Sequence, residues 1–94
     1  MNKSEMAKKL AQRSGLTQAH AADVLEQIFS PATGIIADAL DAGGKVGIGG
    51  FGSFEVRRRE ARTGRNPRTG ETIPVPARNY PAFKPAKNLK DRVG

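Results

Sequence analysis

The first apolar stretch of the chain has the spacing of an α-helix. Apolar residues recur every three or four positions from Met6 to Ala11. Asn2 and Glu5 precede them at the spacing of a capping box, in which each side chain bonds an amide of the other residue. Gly15 follows at the place where a left-handed terminal glycine ends a helix. The pattern predicts a first helix between these signals.

A longer apolar stripe follows, and it predicts a second helix. Thr17 is its expected N-cap, and apolar residues recur in steps of three and four from Ala21 to Leu40. Pro31 lies inside the stripe, where a proline removes one helical hydrogen bond. We expect a kink or a short break near residues 29–33, and because the stripe keeps its phase across Pro31, we favour a kink over a true helix end. The glycine pair 43–44 is expected to end it.

After these glycines the pattern changes to that of strands. Residues 45–48 are expected to form a short strand, and Gly49 and Gly50 to supply the positive-φ residues of a tight hairpin. A second strand begins at Phe51 and reaches at least Arg59. Alternation places Phe51 and Phe54 on opposite faces unless a bulge intervenes.

The second strand is expected to continue into a two-stranded arm. Its exposed tip spans residues 62–70, and the return strand runs from Ile73 to Phe83. Pro74 and Pro76 lie two apart, so in a free ribbon both can occupy positions whose N–H would face away from the partner strand, where its absence costs no ladder bond. Pro85 suits the first turn of a last short helix ending near Val93.

Charge is distributed unevenly along the chain. Residues 1–45 contain five basic and five acidic residues, whereas residues 46–94 contain eleven basic and four acidic ones. The net charge of +7 therefore lies entirely in the second half. Such asymmetry is typical of a surface that binds a polyanion, and it favours nucleic acid as the partner.

Other kinds of chemistry have little support in the sequence. There is no cysteine and a single histidine, His20, so we expect no metal site, no cofactor and no enzymatic activity. Residues 47–52 match a glycine-rich nucleotide-binding pattern, but a strand follows them where that site needs a helix. We expect no small-molecule substrate. The polar N-terminus and the lack of a long apolar run predict a cytoplasmic location and no membrane contact.

The arm carries the candidate chemistry. Its basic residues are all arginines, whose planar, forked guanidinium suits phosphates and narrow grooves. Ten residue steps separate Arg57 from Pro67, roughly 33 Å of extended chain and about one turn of DNA. Pro67 either shapes the turn or acts as a rigid apolar wedge between base pairs, and the arginines around it favour the wedge.

Three segments together resemble one protein family. They are residues 50–54 (GFGSF), residues 62–71 (RTGRNPRTGE) and residues 81–84 (PAFK). They are similar to the bacterial HU/IHF histone-like DNA-binding proteins, and the likeness extends over nearly the whole chain. Relative to the family pattern, the second helix is about four residues longer around residues 30–34, which is about one helical turn.

The resemblance implies an α+β fold: a dimer with an intertwined helical base, a short β-sheet and a long two-stranded β-arm per subunit. We expect one domain, with a helical base at 1–44, the sheet and arm at 45–83 and a C-terminal helix at 85–93. Four phenylalanines exceed what so small a base can bury, so they are the predicted dimer core. They are Phe29, Phe51, Phe54 and Phe83.

The expected function is architectural: a nucleoid-associated homodimer that binds and bends duplex DNA through the minor groove with little sequence specificity. The alternatives are an IHF-like subunit of a site-specific heterodimer, an RNA-binding basic protein and a protein-interaction module. The predicted DNA-binding residues, taken from the arm and from the family likeness, are Lys3, Arg57, Arg58, Arg59, Arg62, Arg65, Asn66, Pro67, Arg68, Arg78, Lys84 and Lys87.

Overall fold

The computed structural model describes all 94 residues, which form two compact units, Met1–Ala42 and Gly43–Gly94. The first unit is helical, and the second contains five strands and one helix. The elements are α1 (Lys3–Ser14), α2 (Gln18–Phe29), α3 (Ile35–Asp41), β1 (Val46–Ile48), β2 (Gly52–Arg59), β3 (Arg62–Arg65), β4 (Thr72–Val75), β5 (Arg78–Pro85) and α4 (Lys87–Val93). None of the four helices has the length and apolar character needed to cross a membrane.

The helix boundaries of α1 and the start of α2 confirm the capping predictions. The amide of Glu5 donates to the Asn2 side chain at 2.8 Å, and the amide of His20 donates to the Thr17 hydroxyl at 3.1 Å. Gly15 ends α1 with φ 72°, the left-handed conformation that glycine adopts without steric cost. Local side chains therefore specify these helix ends.

The favoured kink across Pro31 is wrong and the alternative of a short break is correct, because the chain forms two helices there. α2 ends at Phe29, and α3 begins at Ile35. The Ser30 hydroxyl accepts the amides of Ala32 and Thr33, each at 3.3 Å. A side chain that bonds nearby amides in this way offers the backbone an alternative to the helix. Pro31 adds a missing N–H, so the turn replaces the kink.

Gly34 allows this turn to close tightly. Its amide donates to the Ser30 carbonyl at 3.0 Å. A Cβ at Gly34 would lie 2.6 Å from that carbonyl oxygen and 2.9 Å from the carbonyl oxygen of Ile28. Only glycine fits this approach, and α3 begins directly after it.

The core of the helical unit is small. Ala7, Ala21 and Leu25 are its buried cluster, and Leu10 and Ala11 pack against them. Four large apolar side chains stay exposed in the single chain: Met1, Met6, Phe29 at 45 % and Ile35 at 64 %. The unit therefore presents apolar surface that it does not cover by itself.

The strands form two antiparallel assemblies. The inner sheet has the order β1-β2-β5, and the outer ribbon pairs β3 with β4. The predicted long strands are thus interrupted on both sides, at residues 60–61 and at residues 76–77. Pro74 lies in the ladder opposite Thr63, whereas Pro76 lies in the break. Pro76 has no N–H to continue the ladder, so the prediction that both prolines sit within one continuous ribbon is wrong.

The hairpin between β1 and β2 has a three-residue loop rather than a two-residue turn. Ile48 and Gly52 are paired, and the Phe51 amide donates to the Ile48 carbonyl at 2.9 Å. Gly50 has a positive φ of 77°, but Gly49 does not, so the expectation for Gly49 is wrong. Phe51 lies in the loop, outside the strand alternation on which its predicted face depended.

The rings of Phe51 and Phe54 both pack against Phe83, with centroids 5.7 and 4.9 Å from it. The expectation of opposite faces is therefore wrong, and no bulge is needed. Gly52 is buried beneath this cluster, and a Cβ there would lie 2.6 Å from the Phe83 ring. The glycine lets the ring lie directly on the backbone of β2.

The C-terminal helix begins later than predicted. Pro85 is the last residue of β5, paired with Gly52, and is not in the first helical turn. The Ala86 amide donates to the Phe51 carbonyl at 2.9 Å, which joins the end of β5 to the hairpin loop. Ala86 is the N-cap of α4, and the helix ends at Val93 as expected.

Candidate nucleic-acid interface

The register of the inner sheet sorts its side chains into two faces. Because strand residues alternate, β2 and β5 give one face rich in aromatic and aliphatic residues and one rich in charge. We call the second one the polar face. Its residues on β2 and β5 are Ser53, Glu55, Arg57, Arg59, Arg78, Tyr80, Ala82 and Lys84.

Arg57 is held on the polar face by Glu55, two residues back on the same strand. Its Nη2 and Nε donate to one Glu55 carboxylate oxygen at 2.8 and 3.2 Å. This hydrogen bond raises the pKa of Arg57 and lowers the pKa of Glu55, with smaller effects on Glu55 from Lys45 and Lys84. Glu55 is therefore ionised at neutral pH and orients the guanidinium.

Arg59 lies on the same face and stacks on Tyr80. Its Cζ is 4.8 Å from the centroid of the tyrosine ring. The Cα partner of Arg59 across the ladder is Arg78, yet its guanidinium leans toward Tyr80, the partner of Arg57. The polar face thus gathers three arginines around one tyrosine and one carboxylate.

Arg58 is separated from its two neighbours. It points to the other face of the sheet, opposite Asn79, and its Nε lies 3.3 Å from a carboxylate oxygen of Glu60. Both side chains are largely exposed, so this pair is weak. The arginine run that the sequence presents as one group is two groups in the structure.

The outer ribbon carries Arg62 and Arg65 on opposite faces. Arg62 pairs across the ladder with Val75, and Arg65 with Thr72. Both arginines are exposed. The ribbon therefore presents positive charge on both sides rather than on one.

The tip is shorter than the predicted span of residues 62–70, because Arg62–Arg65 belong to β3. The turn itself covers residues 66–71 and is organised by Asn66. The Asn66 amide donates to the Glu71 carbonyl, and the Gly70 amide donates to the Asn66 carbonyl, both at 2.8 Å. The Asn66 side-chain oxygen accepts the Arg68 amide at 2.9 Å. Gly70 has φ 73° and closes the turn. Pro67 is exposed at the outermost part and belongs to none of these hydrogen bonds.

The remaining predicted binding residues lie away from the arm. Lys84 is exposed on β5 opposite Ser53, and Lys87 on α4 forms an ion pair with Asp91 at 3.4 Å. Lys3 begins α1 in the helical unit and is paired with Glu26. All three are accessible to a ligand.

A shallow depression lies at the hairpin end of the inner sheet. Glycines of the hairpin line it together with Lys45 and Lys84, and its volume is about 560 Å³. Glycines let a ligand approach the backbone closely, and the lysines favour an anion. Lys45 was not among the residues predicted from the sequence.

Sequence reasoning also missed Glu55 and Tyr80. Their importance depends on register, because neither is notable until Arg57 and Arg59 are known to share their face. One signal was available: Tyr80 is the only tyrosine of the chain, and it stands between basic residues. Aromatic residues interleaved with arginines are typical of nucleic-acid surfaces.

The two units differ sharply in charge. The helical unit has four basic and five acidic residues, whereas the second unit has twelve basic and four acidic ones. The second unit thus has a net charge of +8 and the first of −1. The arrangement suits a long polyanion that contacts the sheet and the arm.

Comparisons with known proteins agree with this geometry. The model of a family described as bacterial DNA-binding proteins matches residues 1–94. The prophage-derived DNA-binding protein HU 2 of Bacillus subtilis is 52 % identical over 99 % of this chain and 97 % of its own. DNA-binding protein HU-1 of Halalkalibacterium halodurans is 50 % identical over 99 % of both chains. The Anabaena HU–DNA cocrystal structure has a TM-score of 0.88 and 40 % identity, covering 100 % of this chain and 98 % of that one.

Proposed function

This chain belongs to the bacterial DNA-binding protein family, and on that premise we propose that it is an HU-type architectural protein that binds and bends duplex DNA. DNA is the ligand in the Anabaena structure it resembles. The α+β fold, with helices and antiparallel strands, is that of the HU structures. We assign the chain no catalytic role.

The observation that carries the proposal is the exposed arginine surface of the sheet and arm. Seven arginines lie between residues 57 and 78, on strands and a tip that have almost no buried core. Neutralising phosphates releases counterions, and this term dominates binding that is not sequence-specific.

Little sequence specificity is expected from the tip. The Asn66 side-chain oxygen is occupied by the Arg68 amide, which leaves its NH₂ group to donate. In the minor groove, A·T and T·A pairs present the same kind of acceptor, so a donor cannot distinguish one orientation from the other. Pro67, exposed and outside the hydrogen bonds of the turn, is the proposed wedge that unstacks one base step.

We propose that the functional unit is a homodimer closed by the phenylalanines of both units. Phe29, Phe51 and Phe83 are 45, 46 and 42 % exposed in the single chain, and Phe54 packs against Phe83. So much exposed aromatic surface is unusual for a stable monomer and marks an interface. The relatives reported above are named HU, and none of them supports the site-specific heterodimer.

The proposed location follows from the ligand. A protein that binds chromosomal DNA without sequence preference is distributed over the nucleoid of the bacterial cytoplasm. We therefore propose that the chain is a single HU-type domain whose phenylalanines close the dimer and whose second unit holds the DNA.

The proposal is tested by measuring affinity for linear, nicked and four-way DNA across a series of salt concentrations. We expect a linear fall in log affinity with log salt, at a slope near −0.9 per phosphate contact. A duplex RNA of the same length is the competitor. Tighter binding to RNA than to DNA, or affinity independent of salt, would overturn the assignment.

A further inference from the structure

The polar face contains an aromatic residue whose position suggests a specific role. Tyr80 is half-buried on β5, directly opposite Arg57, and Arg59 covers its ring. Resting on the proposed function, we propose that Tyr80 is a positioning residue that presents Arg59 to a DNA phosphate.

The Arg59 side chain is directed away from its partner across the ladder. Directly across the ladder from Arg59 stands Arg78, and like charges directly opposite each other destabilise a strand pair. Arg59 instead has its Cζ 4.8 Å from the Tyr80 ring centroid, two residues along β5. The ring's negative face attracts the guanidinium, so the stack draws Arg59 away from the repulsion.

The arginines on the two faces of β2 differ in the partners that orient them. Arg58 has no aromatic neighbour and pairs only with the exposed Glu60. Arg57 is held by Glu55 and Arg59 by Tyr80, so both arginines that β2 places on the polar face have a partner that orients them. The two partners are chemically different: the carboxylate offsets the charge of Arg57, whereas the tyrosine leaves the charge of Arg59 intact.

A guanidinium that is already oriented loses less entropy when it binds a phosphate. A free arginine side chain loses rotamer entropy when it binds, and pre-organisation reduces that loss. A stacked guanidinium keeps its in-plane N–H groups available for hydrogen bonds to phosphate oxygens. Tyr80 therefore strengthens phosphate contact by Arg59 without adding charge, and it does not alter the number of counterions released.

The test is a double-mutant cycle on the full-length protein, with a linear duplex at fixed salt. Tyr80→Val should weaken binding about two- to fivefold, the range of an exposed cation–π pair. Tyr80→Phe should retain parental affinity, since it keeps the ring. The salt slope should be the same in all three proteins, because no charge is removed.

The cycle pairs Tyr80→Val with Arg59→Ala, and with Arg58→Ala as the matched control. We expect Arg59→Ala to cost less in the Tyr80→Val background than in the parent, and Arg58→Ala to cost the same in both. Valine is a good strand former, so β5 should persist. An NMR readout is independent of binding: the ring should shift the Arg59 side-chain protons upfield in the parent and the Phe variant only.

Three results would overturn the proposal: parental affinity in Tyr80→Val, a Phe variant as weak as the Val variant, or equal coupling of Tyr80 to Arg58 and Arg59. Each of these leaves the proposed function standing if the parent binds duplex DNA with the expected salt dependence. Failure of the parent protein to bind duplex DNA would instead contradict the proposed function.

Discussion

The inner sheet and the outer ribbon are built from the same kind of antiparallel pairing, yet they hold their arginines differently. In the inner sheet, one face is occupied by the Phe51, Phe54 and Phe83 cluster, and the other carries Arg57 and Arg59 with their orienting partners. A sheet with one packed face determines where every other side chain points.

The outer ribbon has no packed face of its own. Arg62 and Arg65 point to opposite sides, and Ile73 is 44 % exposed. Isolated two-stranded ribbons are marginal in water. The comparison predicts that the inner sheet is the more stable of the two, because only it packs one of its faces. The four experiments below bear on this contrast, beginning with the largest expected effect.

Removing an apolar side chain should lower the unfolding free energy strongly in the inner sheet and only slightly in the ribbon. Phe83 and Ile73 are almost equally exposed in the single chain, at 42 and 44 %, so they are a matched pair. Phe83→Ala removes the centre of the aromatic cluster and should cost about 3 kcal/mol of unfolding free energy. Ile73→Ala should cost less than about 1 kcal/mol.

Chemical denaturation measures both variants, and sedimentation shows whether Phe83→Ala also weakens the dimer. Because a dimer is stabilised by mass action, the parent's midpoint should rise with protein concentration. Equal destabilisation by the two variants would remove the distinction between sheet and ribbon. A parent that sediments as a folded monomer at micromolar concentration would contradict the dimer.

The two faces of β2 should differ in their contribution to DNA affinity. Arg59→Ala should weaken duplex binding about tenfold, the size expected for one charged hydrogen bond, and lower the salt slope by about one. Arg58→Ala should weaken it about twofold, since Arg58 lies on the other face and contributes only through the general field. Fluorescence anisotropy across a salt series measures both. Identical losses would show that the run acts as one undivided patch.

At the tip, Pro67→Ala should separate bending from binding. The turn hydrogen bonds run through Asn66, Arg68, Gly70 and Glu71, so the turn should survive the change. No charge is lost, and the salt slope should stay constant. Energy transfer between end labels on a linear duplex should fall, because the variant lacks the proline that we propose unstacks a base step.

Nicked DNA should be bent nearly as before, since its unstacking cost is already met. Pro74→Ala, in the ribbon ladder opposite Thr63, is the matched proline control and should leave bending unchanged. A Pro67→Ala protein that bends linear DNA as sharply as the parent would reduce Pro67 to a turn former.

The smallest expected effect is a change in the pKa of Glu55 on the inner sheet. The hydrogen bond from Arg57 holds the pKa of Glu55 below its ordinary value. A lowered folded-state pKa stabilises the fold above the unfolded-state pKa, and this contribution is lost as the pH falls through the folded value. NMR titration of the carboxyl carbon should show the pKa of Glu55 rising in Arg57→Gln. Arg58→Gln, from the other face, should leave it unchanged, and a shift of equal size there would show that the effect is only general charge.

Several elements of this fold follow from short segments of sequence. Asn2, Thr17 and Gly15 set helix ends with their own side chain or conformation, so those predictions were correct. The tip prediction was correct only in part, because the turn around Pro67 and Gly70 lies where expected but Arg62–Arg65 form strand β3. Pro67, Gly70 and the arginines around them are local signals whose meaning does not depend on distant residues.

Other predictions failed where local and longer-range signals compete. The phase of the apolar stripe favoured one helix across Pro31, but the Ser30 hydroxyl and the close approach at Gly34 favoured a turn. A short turn can restart a helix in register with the one before, so an apolar stripe that keeps its phase does not require one continuous helix. Likewise, Pro85 suits a helix start by type, yet its pairing with Gly52 keeps it in β5.

The sequence by itself determined the composition of the binding surface: which residues are cationic, that they fall in the second half, and that a proline stands at the tip. It did so because charge and turn chemistry belong to individual residues and their near neighbours. Only the tertiary structure decided that Arg57 and Arg59 share a face with Glu55 and Tyr80 while Arg58 does not. The partner of a strand residue depends on register, and register is set by packing across the sheet, including the Phe83 ring on Gly52, more than thirty residues away along the chain.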